Sequence, residues 1–90
     1  MPRIRVVSIS RYVQAALDQA EYNPDENGVI IACVPGAEGF FSQGDTFEDA
    51  RENLRDAIEG NLTLALQLGL PIPTFEGVPI EDLDVPAYAT

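Results

Sequence analysis

One stretch of the sequence has residue types and spacing that could do chemistry: GFFSQGDTFEDARENL, residues 39 to 54. Two glycines and an Asp-Thr pair precede a segment with helical periodicity, an arrangement that can bind phosphate at a helix N-terminus. Here Asp45, Glu48 and Asp49 occupy that terminus, and no lysine follows the glycines. Because these carboxylates already complement the helix dipole and would repel phosphate, the stretch is not expected to bind phosphate.

The same stretch offers little for catalysis. The chain has no histidine and no lysine, and its single cysteine, Cys33, lies in an apolar run typical of a buried strand. The usual nucleophile and base pairs cannot be assembled, which leaves carboxylates, with or without a divalent metal ion. The spacing of a calcium-binding loop is absent. The sequence therefore predicts no catalytic, metal-binding or cofactor-binding residue, and we interpret Gly39 and Gly44 as bracketing a strand.

The charge of the chain indicates a class of partner. Fifteen acidic residues stand against five arginines, the formal net charge is −10, and no basic residue lies between Tyr12 and Ala50. Nucleic acid would be repelled, because its binding depends on Lys and Arg side chains that neutralise phosphates. A small basic protein would be attracted and steered towards the chain. The alternative is that the acidity only keeps a small protein in solution.

Turn residues and apolar patterning predict an antiparallel meander. Residues 19–23 are expected to be extended, and Asn27-Gly28 is a strong hairpin signal. Apolar residues 29–34 form a second strand, and residues 39–43 form a third. Ahead of the meander, Ser10 is a candidate N-cap for a short amphipathic helix.

After Gly44 the apolar period changes to that of a helix, which predicts a long helix covering the sheet. Thr46 is its N-cap, Gly69 marks its end, and Gly60 within it suggests a close packing contact. The proline-rich tail, residues 71–90, can supply a strand within residues 78–85. The predicted fold class is α+β: a three-stranded antiparallel meander packed by one long helix, with a short N-terminal helix and an additional C-terminal edge strand.

The chain is predicted to be a single domain over residues 1–90. Its core spans about residues 10–86, and residues 1–9 and the C-terminal tail are expected to be less ordered. The N-terminus lacks the apolar core and cleavage site of a signal peptide, and no apolar run is long enough to span a bilayer. We therefore expect a cytoplasmic protein without membrane contact.

Leucines in the second half of the long helix predict self-association. Beyond Gly60, leucines at alternating positions point around more than half of the helix circumference, and one sheet cannot bury them all. The proline-rich tail could cover part of this surface. We predict a homodimer or homotetramer whose contact includes Leu62, Leu64 and Leu66.

The residue order resembles that of the HicB-like antitoxins. The most specific part runs from Pro35 to Leu54 with the spacing P-x3-G-x3-QGDT-x-E/D-x-A-x2-N-L, and weaker similarity extends over about residues 12–73. The resemblance implies a partial ribonuclease-H-like fold. It also implies an antitoxin that binds and neutralises a small basic HicA-like toxin, an mRNA-cleaving protein with a double-stranded-RNA-binding-like fold.

Many HicB antitoxins carry an additional DNA-binding domain, whereas this sequence ends at Thr90. Direct nucleic-acid binding by this chain is therefore not expected. Nor does the ribonuclease-H likeness imply nuclease activity, because a fold does not fix a function.

The acidic first half of the chain and its aromatic residues supply the candidate partner-binding residues. They are Glu21, Tyr22, Asp25, Glu26, Glu38, Phe40 and Phe41. One alternative is a solitary oligomeric HicB-like binding protein without a toxin partner. A carboxylate- or metal-dependent nuclease is the least favoured interpretation.

Overall fold

Two helices and five strands form the part of the chain that the computed structural model describes, residues 3–79 and 81–84. In chain order they are β1 (Arg3–Val6), α1 (Ile9–Asp18), β2 (Glu21–Pro24), β3 (Ile30–Val34), β4 (Ala37–Gly44), α2 (Phe47–Leu68) and β5 (Glu81–Asp84). Strands β2, β3 and β4 form an antiparallel sheet in that order. The predicted α+β fold, with its meander, long helix and short N-terminal helix, is confirmed.

The two hairpin turns of the meander depend on glycine. Gly28 and Gly36 have φ values of 84° and 81°, a left-handed conformation that residues with a side chain rarely adopt. In the first turn, an Asp25 carboxylate oxygen accepts hydrogen bonds from the backbone N–H groups of Asn27 and Val29 at 2.8 and 3.0 Å. Both turns therefore connect neighbouring strands directly, as a meander requires.

Both helices lie on one face of the sheet. Along β3, Ile30, Ala32 and Val34 are buried, whereas Ile31 and Cys33 alternate with them and remain partly exposed. Since successive side chains of a strand point to opposite faces, only one face of the sheet contributes to the core. The core is completed by buried residues of α1 and α2: Tyr12, Val13, Ala16, Leu17, Ala50, Leu54, Ile58 and Leu62.

Helix α1 begins two residues earlier than the sequence predicts. Its N-cap is Ser8 rather than Ser10, because Ser8 has extended backbone angles and its Oγ accepts from the Arg11 N–H at 3.4 Å. Ser10 lies inside the first turn, where its backbone is already helical.

The ends of α2 are confirmed, but the interpretation of a glycine within it is wrong. Thr46 Oγ1 accepts from the Asp49 N–H at 3.0 Å, and Gly69 ends the helix with a φ of 69°. Gly60 is exposed, and a Cβ added there would meet no atom within 4 Å. No close contact within the described chain therefore requires a glycine at that position.

The tail that follows α2 crosses α1. The buried Tyr12 hydroxyl donates to the Pro73 carbonyl, and the rings of Tyr12 and Phe75 pack edge to face with centroids 5.1 Å apart. The Arg11 guanidinium donates to the Gly77 carbonyl at 3.0 Å. Burial raises the pKa of Tyr12 to about 12, because the phenolate would lose its hydration.

The C-terminal strand lies within the predicted residues but belongs to a second sheet. β5 pairs antiparallel with β1, with Arg3 opposite Asp84 and Arg5 opposite Asp82. β1 falls within the nine N-terminal residues for which less order was expected. The tail brings β5 to β1 because it crosses α1, the helix that directly follows β1.

Candidate functional site

The most motif-like part of the sequence forms the connection between β4 and α2, which we call the strand–helix joint (residues 39–54). Gly44 is the last residue of β4, and a Cβ there would lie 2.4 Å from the Ala50 nitrogen and 2.8 Å from the Asp49 Cβ. The first turn of α2 can therefore approach the strand only if residue 44 has no side chain. Gly39 lies inside β4 rather than at its start, because the preceding hairpin turn places the strand start at Ala37.

Side-chain hydrogen bonds to backbone carbonyls fasten β4 to α2. Ser42 Oγ donates to the Ala50 carbonyl at 2.7 Å, and Asn53 Nδ2 donates to the Gln43 carbonyl at 2.8 Å. Further along the helix, beyond the joint, Asn61 Nδ2 donates to the Gly39 carbonyl at 3.2 Å. The residues that form the sequence motif thus have structural roles in this chain.

A polar cavity of about 290 Å³ lies beside the joint and is lined by the acidic residues Asp45, Asp49 and Glu52. Its other lining residues, Val29, Gln43, Gly44 and Asn53, carry no positive charge. Among the described side chains, no group of three or more potential metal ligands is close enough together to hold an ion. The cavity lacks the cationic side chains that usually accompany phosphate sites.

The other face of the sheet is not covered by either helix. The strand register places Glu21 opposite Cys33 and Cys33 opposite Phe41, and a second row joins Asn23, Ile31 and Gln43. We call these six residues the open face: Glu21, Asn23, Ile31, Cys33, Phe41 and Gln43. Phe41 is 64% exposed, so the open face presents an aromatic ring beside partly exposed apolar residues of the central strand.

An irregularity in β4 decides which of two adjacent phenylalanines reaches the open face. Val34 pairs with Ala37, but Cys33 pairs with Phe41, so residues 38–40 form a bulge between these pairs. Glu38 is exposed in this bulge. Phe40 points into the core, is 4% exposed and packs edge to face on Tyr12 with centroids 6.3 Å apart.

The structure separates the remaining predicted partner-binding residues. Tyr22 faces the helices, where its ring packs against Phe47 with centroids 6.1 Å apart and its hydroxyl is buried without a hydrogen-bond partner among the described residues. Asp25 and Glu26 are exposed in the turn beyond β2, and Asp25 is engaged in the turn itself. Of the three predicted aromatic anchors, Phe41 is the most exposed, Tyr22 is partly buried against the core, and Phe40 is buried.

The predicted oligomer residues also differ from one another. Leu62 is completely buried in the core and offers no surface to a second copy, whereas Leu66 is partly buried against the core. Leu64 is 52% exposed, and Leu68 and Leu70 are exposed as well. We call Leu64, Leu68 and Leu70 the leucine patch. Leu70 was missed from the sequence because it follows the helix-ending Gly69, and its exposure depends on the path of the tail.

The charges are distributed unequally over the molecule. The described arginine side chains, Arg11, Arg51 and Arg55, belong to the two helices, and Arg55 lies 3.9 Å from the Glu52 carboxylate. The open face carries Glu21, with Glu38 in the neighbouring bulge. Residues 60–75, which include the leucine patch, carry no charge. The meander therefore carries acidic residues and no arginine, α2 carries charges of both signs in its first half, and the end of α2 is uncharged and apolar.

Comparison with known proteins identifies the family. A family model described as UPF0150-like matches residues 11–73, which is more than half of the chain. The chain belongs to the UPF0150-like family. The match includes the whole strand–helix joint, so the hydrogen bonds and the close approach at Gly44 lie within the part of this UPF0150-like chain that defines its family. No curated protein matches it in sequence.

Two crystal structures share the fold of this UPF0150-like chain. TTHA0281 from Thermus thermophilus is 23% identical with a TM-score of 0.72, and the match covers 87% of this chain and 94% of that one. The N-terminal domain of the Burkholderia pseudomallei antitoxin HicB is 24% identical with a TM-score of 0.55, over 74% of this chain and 94% of that one. The resemblance to HicB-like proteins seen in the sequence is thereby confirmed. Within the described residues, no helix has the length and apolar character needed to cross a membrane.

Proposed function

We propose that this chain is an antitoxin-like protein, which binds a small basic mRNA-cleaving toxin of the HicA type and neutralises it. The family match and the fold shared with the N-terminal domain of the antitoxin HicB support this proposal. Because such a toxin cleaves mRNA, the pair would act in the cytoplasm. The role is one of binding rather than catalysis.

The observation that carries the proposal is the excess of acidic residues in the first half of the chain, four of which, Glu21, Asp25, Glu26 and Glu38, lie in the meander and its first turn. From Tyr12 to Ala50 there are eight acidic residues and no basic residue, and the described arginines lie on the helices. A toxin that binds RNA must itself be cationic, because its affinity comes from neutralising phosphates. An acidic protein surface can therefore occupy the same cationic surface as RNA and prevent RNA from binding.

Co-expression tests the proposal directly. The gene of a small Lys- and Arg-rich protein next to the gene of this chain would be induced alone and together with it. We expect growth arrest and loss of mRNA in the first case, and restored growth in the second. The purified pair should form one complex whose association slows with added salt. A toxin that remains active in the presence of excess chain would contradict the proposal.

The alternative, a solitary oligomeric protein of this family, is favoured by the leucine patch. We propose in either case that the chain forms a homodimer or homotetramer through Leu64 and its exposed neighbours. Burying a leucine side chain contributes about 1.5–3 kcal/mol, so a patch of three exposed leucines favours self-association.

Light scattering on the purified chain tests the self-association. Leu64→Glu should shift the population towards monomer, and Thr63→Glu, which adds the same charge at the adjacent exposed helix position, should not. If the chain is a monomer at micromolar concentration, the proposed self-association is wrong.

A metal-dependent nuclease remains the third alternative. The acidic cavity beside the joint is the place where such chemistry would have to occur. We expect no RNA cleavage by the purified chain with Mg²⁺ or Mn²⁺. Metal-dependent cleavage that an Asp49→Asn variant loses would replace the binding role by a catalytic one.

A further inference from the structure

We infer that the open face of the sheet is the surface on which the basic partner docks, and that the partner presents arginine side chains on an apolar surface. This assignment rests on the proposed function and names the residues that would perform it. It selects Phe41, with Ile31 and Cys33 beside it, as the apolar centre. Glu21 and Glu38 supply the charges around this centre.

The described helices and tail leave this face of the sheet uncovered. Both helices lie on the opposite side of the sheet, where they bury alternate residues of β3 and the rings of Phe40 and Tyr12. Phe41 points the other way and is 64% exposed, and the partly exposed Ile31 and Cys33 lie next to it on the central strand. A large aromatic side chain surrounded by smaller apolar ones is typical of the central contact of an interface.

Charge complementarity decides between a basic partner and a second copy of this chain. Glu21 lies on the open face, Glu38 is exposed beside it, and none of the described arginine side chains belongs to the sheet. A second copy that met this face with its own would bring carboxylates towards carboxylates, which is unfavourable. A cationic partner would instead be attracted by the same carboxylates, which would stabilise the complex.

The spacing on the open face suits arginine in particular. Glu21 and Phe41 lie in one row across three strands, so their backbones are about 10 Å apart at the usual strand separation. A guanidinium group can stack on an exposed phenylalanine ring and also donate hydrogen bonds to a carboxylate. Two or more arginines of a partner could therefore contact the ring and the flanking acids while their aliphatic stems cover Ile31.

The leucine patch does not compete with this assignment. It lies at the end of α2 and the start of the tail, in the helical layer, and residues 60–75 carry no charge. Two copies can approach each other there without bringing acidic residues together. Self-association and partner binding would thus use opposite sides of the chain.

The single cysteine of the chain gives a direct test, because Cys33 lies on the open face and every thiol signal comes from this one residue. The alkylation rate of Cys33 is measured with and without a peptide of alternating arginine and leucine, and with a glutamate–leucine control peptide. We expect the arginine peptide to slow alkylation by at least about fivefold at saturation, because a docked partner excludes the reagent. The control peptide should have no effect.

Two matched pairs of variants locate the peptide. Phe41→Ala should weaken peptide affinity by about five- to tenfold, whereas Phe47→Ala, which truncates a similarly exposed ring in the helical layer, should not. Glu21→Gln should weaken binding more than Glu59→Gln, because Glu59 is an exposed acid on α2. Equal effects within both pairs would indicate attraction to the net charge alone and would overturn the assignment.

Three further outcomes bear on this inference, and the first and third of them separate it from the proposed function. If Phe41→Ala and Glu21→Gln neutralise the co-expressed toxin as well as the unmodified chain does, the function stands and the surface assignment is overturned. If Cys33 becomes protected only as the concentration of the chain rises, a second copy occupies the open face, which also overturns the assignment. If the chain neutralises no basic toxin but the arginine peptide protects Cys33, the proposed function is wrong. The assignment of the open face as a docking surface then stands.

Discussion

The strand–helix joint and the open face overlap in β4 at Phe41 and Gln43, yet the side of the joint that packs on α2 differs from the open face in almost every respect. In the joint, Gly44 has no room for a side chain, and Asn53 and Ser42 are bound to backbone carbonyls. On the open face, Phe41 is largely exposed, and its ring has no described ring partner. Most residues of the sequence motif therefore hold the fold together, and Gln43 is the one motif residue that lies on the open face.

This difference follows from what each region needs. A joint between a strand and a helix tolerates few residue types, because backbone atoms meet at short distances and side-chain donors must match the positions of backbone carbonyls. A binding surface needs only a certain charge and an exposed apolar centre, which many sequences can supply. Substitutions in the two regions should therefore affect different properties, namely stability in the joint and binding on the open face.

The largest expected effect is at Gly44. Gly44→Ala would place a methyl group 2.4 Å from the Ala50 nitrogen, so the first turn of α2 would have to move away from β4. We expect the free energy of unfolding to fall by about 3 kcal/mol or more, measured by urea denaturation. The matched control is Gly60→Ala, where the space is open and the helix should gain about 1 kcal/mol. Equal effects of the two substitutions would show that the close approach at Gly44 does not constrain the joint.

High pH should weaken the packing of the tail on α1. The pKa of the Tyr12 phenol is about 12 in the folded chain, and its ordinary value is 10.0. The folded state therefore binds more protons than the unfolded state between these values. Stability should be unaffected by this group below about pH 10 and should fall above it by up to about 1.4 kcal/mol for each pH unit until about pH 12.

Chemical denaturation at a series of pH values measures this loss. Tyr12→Phe is the control, because it removes the titrating hydroxyl while keeping the ring packed between Phe40 and Phe75. The variant should be less stable at neutral pH, since it loses the hydrogen bond to the Pro73 carbonyl. Above pH 10, its free energy of unfolding should decrease less with pH than that of the unmodified chain. A variant with the same alkaline loss as the unmodified chain would assign that loss to other groups.

A moderate effect is expected at the N-cap of α2. Thr46→Ala removes the acceptor of the Asp49 N–H and should lower the free energy of unfolding by about 1 kcal/mol. Thr46→Ser keeps the hydroxyl oxygen and should recover most of this loss. Thermal denaturation of the three proteins measures the difference. No change in the alanine variant would mean that the joint is held by its other hydrogen bonds.

Local signals in the sequence were sufficient to predict most of the fold. Asn27-Gly28 predicted the first hairpin, and Thr46 and Gly69 predicted the ends of α2, because turn and cap geometry depends on the residues in place. Strand β1 carries no such signal, since its partner β5 lies more than 70 residues away in sequence. Pairing between distant segments is not encoded in the residues of either one.

The candidate site could be predicted only in part for the same reason. The acidic character of the first half of the chain and the presence of aromatic residues in it follow from the sequence. Which of Phe40 and Phe41 is exposed depends on the bulge at residues 38–40. Strict alternation of buried and exposed side chains from the buried Ala37 would have placed Phe41 in the core and Phe40 on the opposite face. Likewise, the burial of Leu62 and the exposure of Leu64 depend on the position of α2 over the sheet.

The smallest expected effect on stability is at Phe41, and it completes the comparison. Phe41→Ser removes a ring that is 64% exposed, so little buried apolar surface is lost. We expect the free energy of unfolding to change by no more than about 0.5 kcal/mol. Phe40→Ser is the matched substitution on the opposite face of the same strand, and because Phe40 is 4% exposed it should cost about 3 kcal/mol or more. Urea denaturation of both variants measures the contrast. If Phe41→Ser were as destabilising as Phe40→Ser, the open face would already be buried, either by part of this chain or by a second copy, and it would not be available to a basic partner.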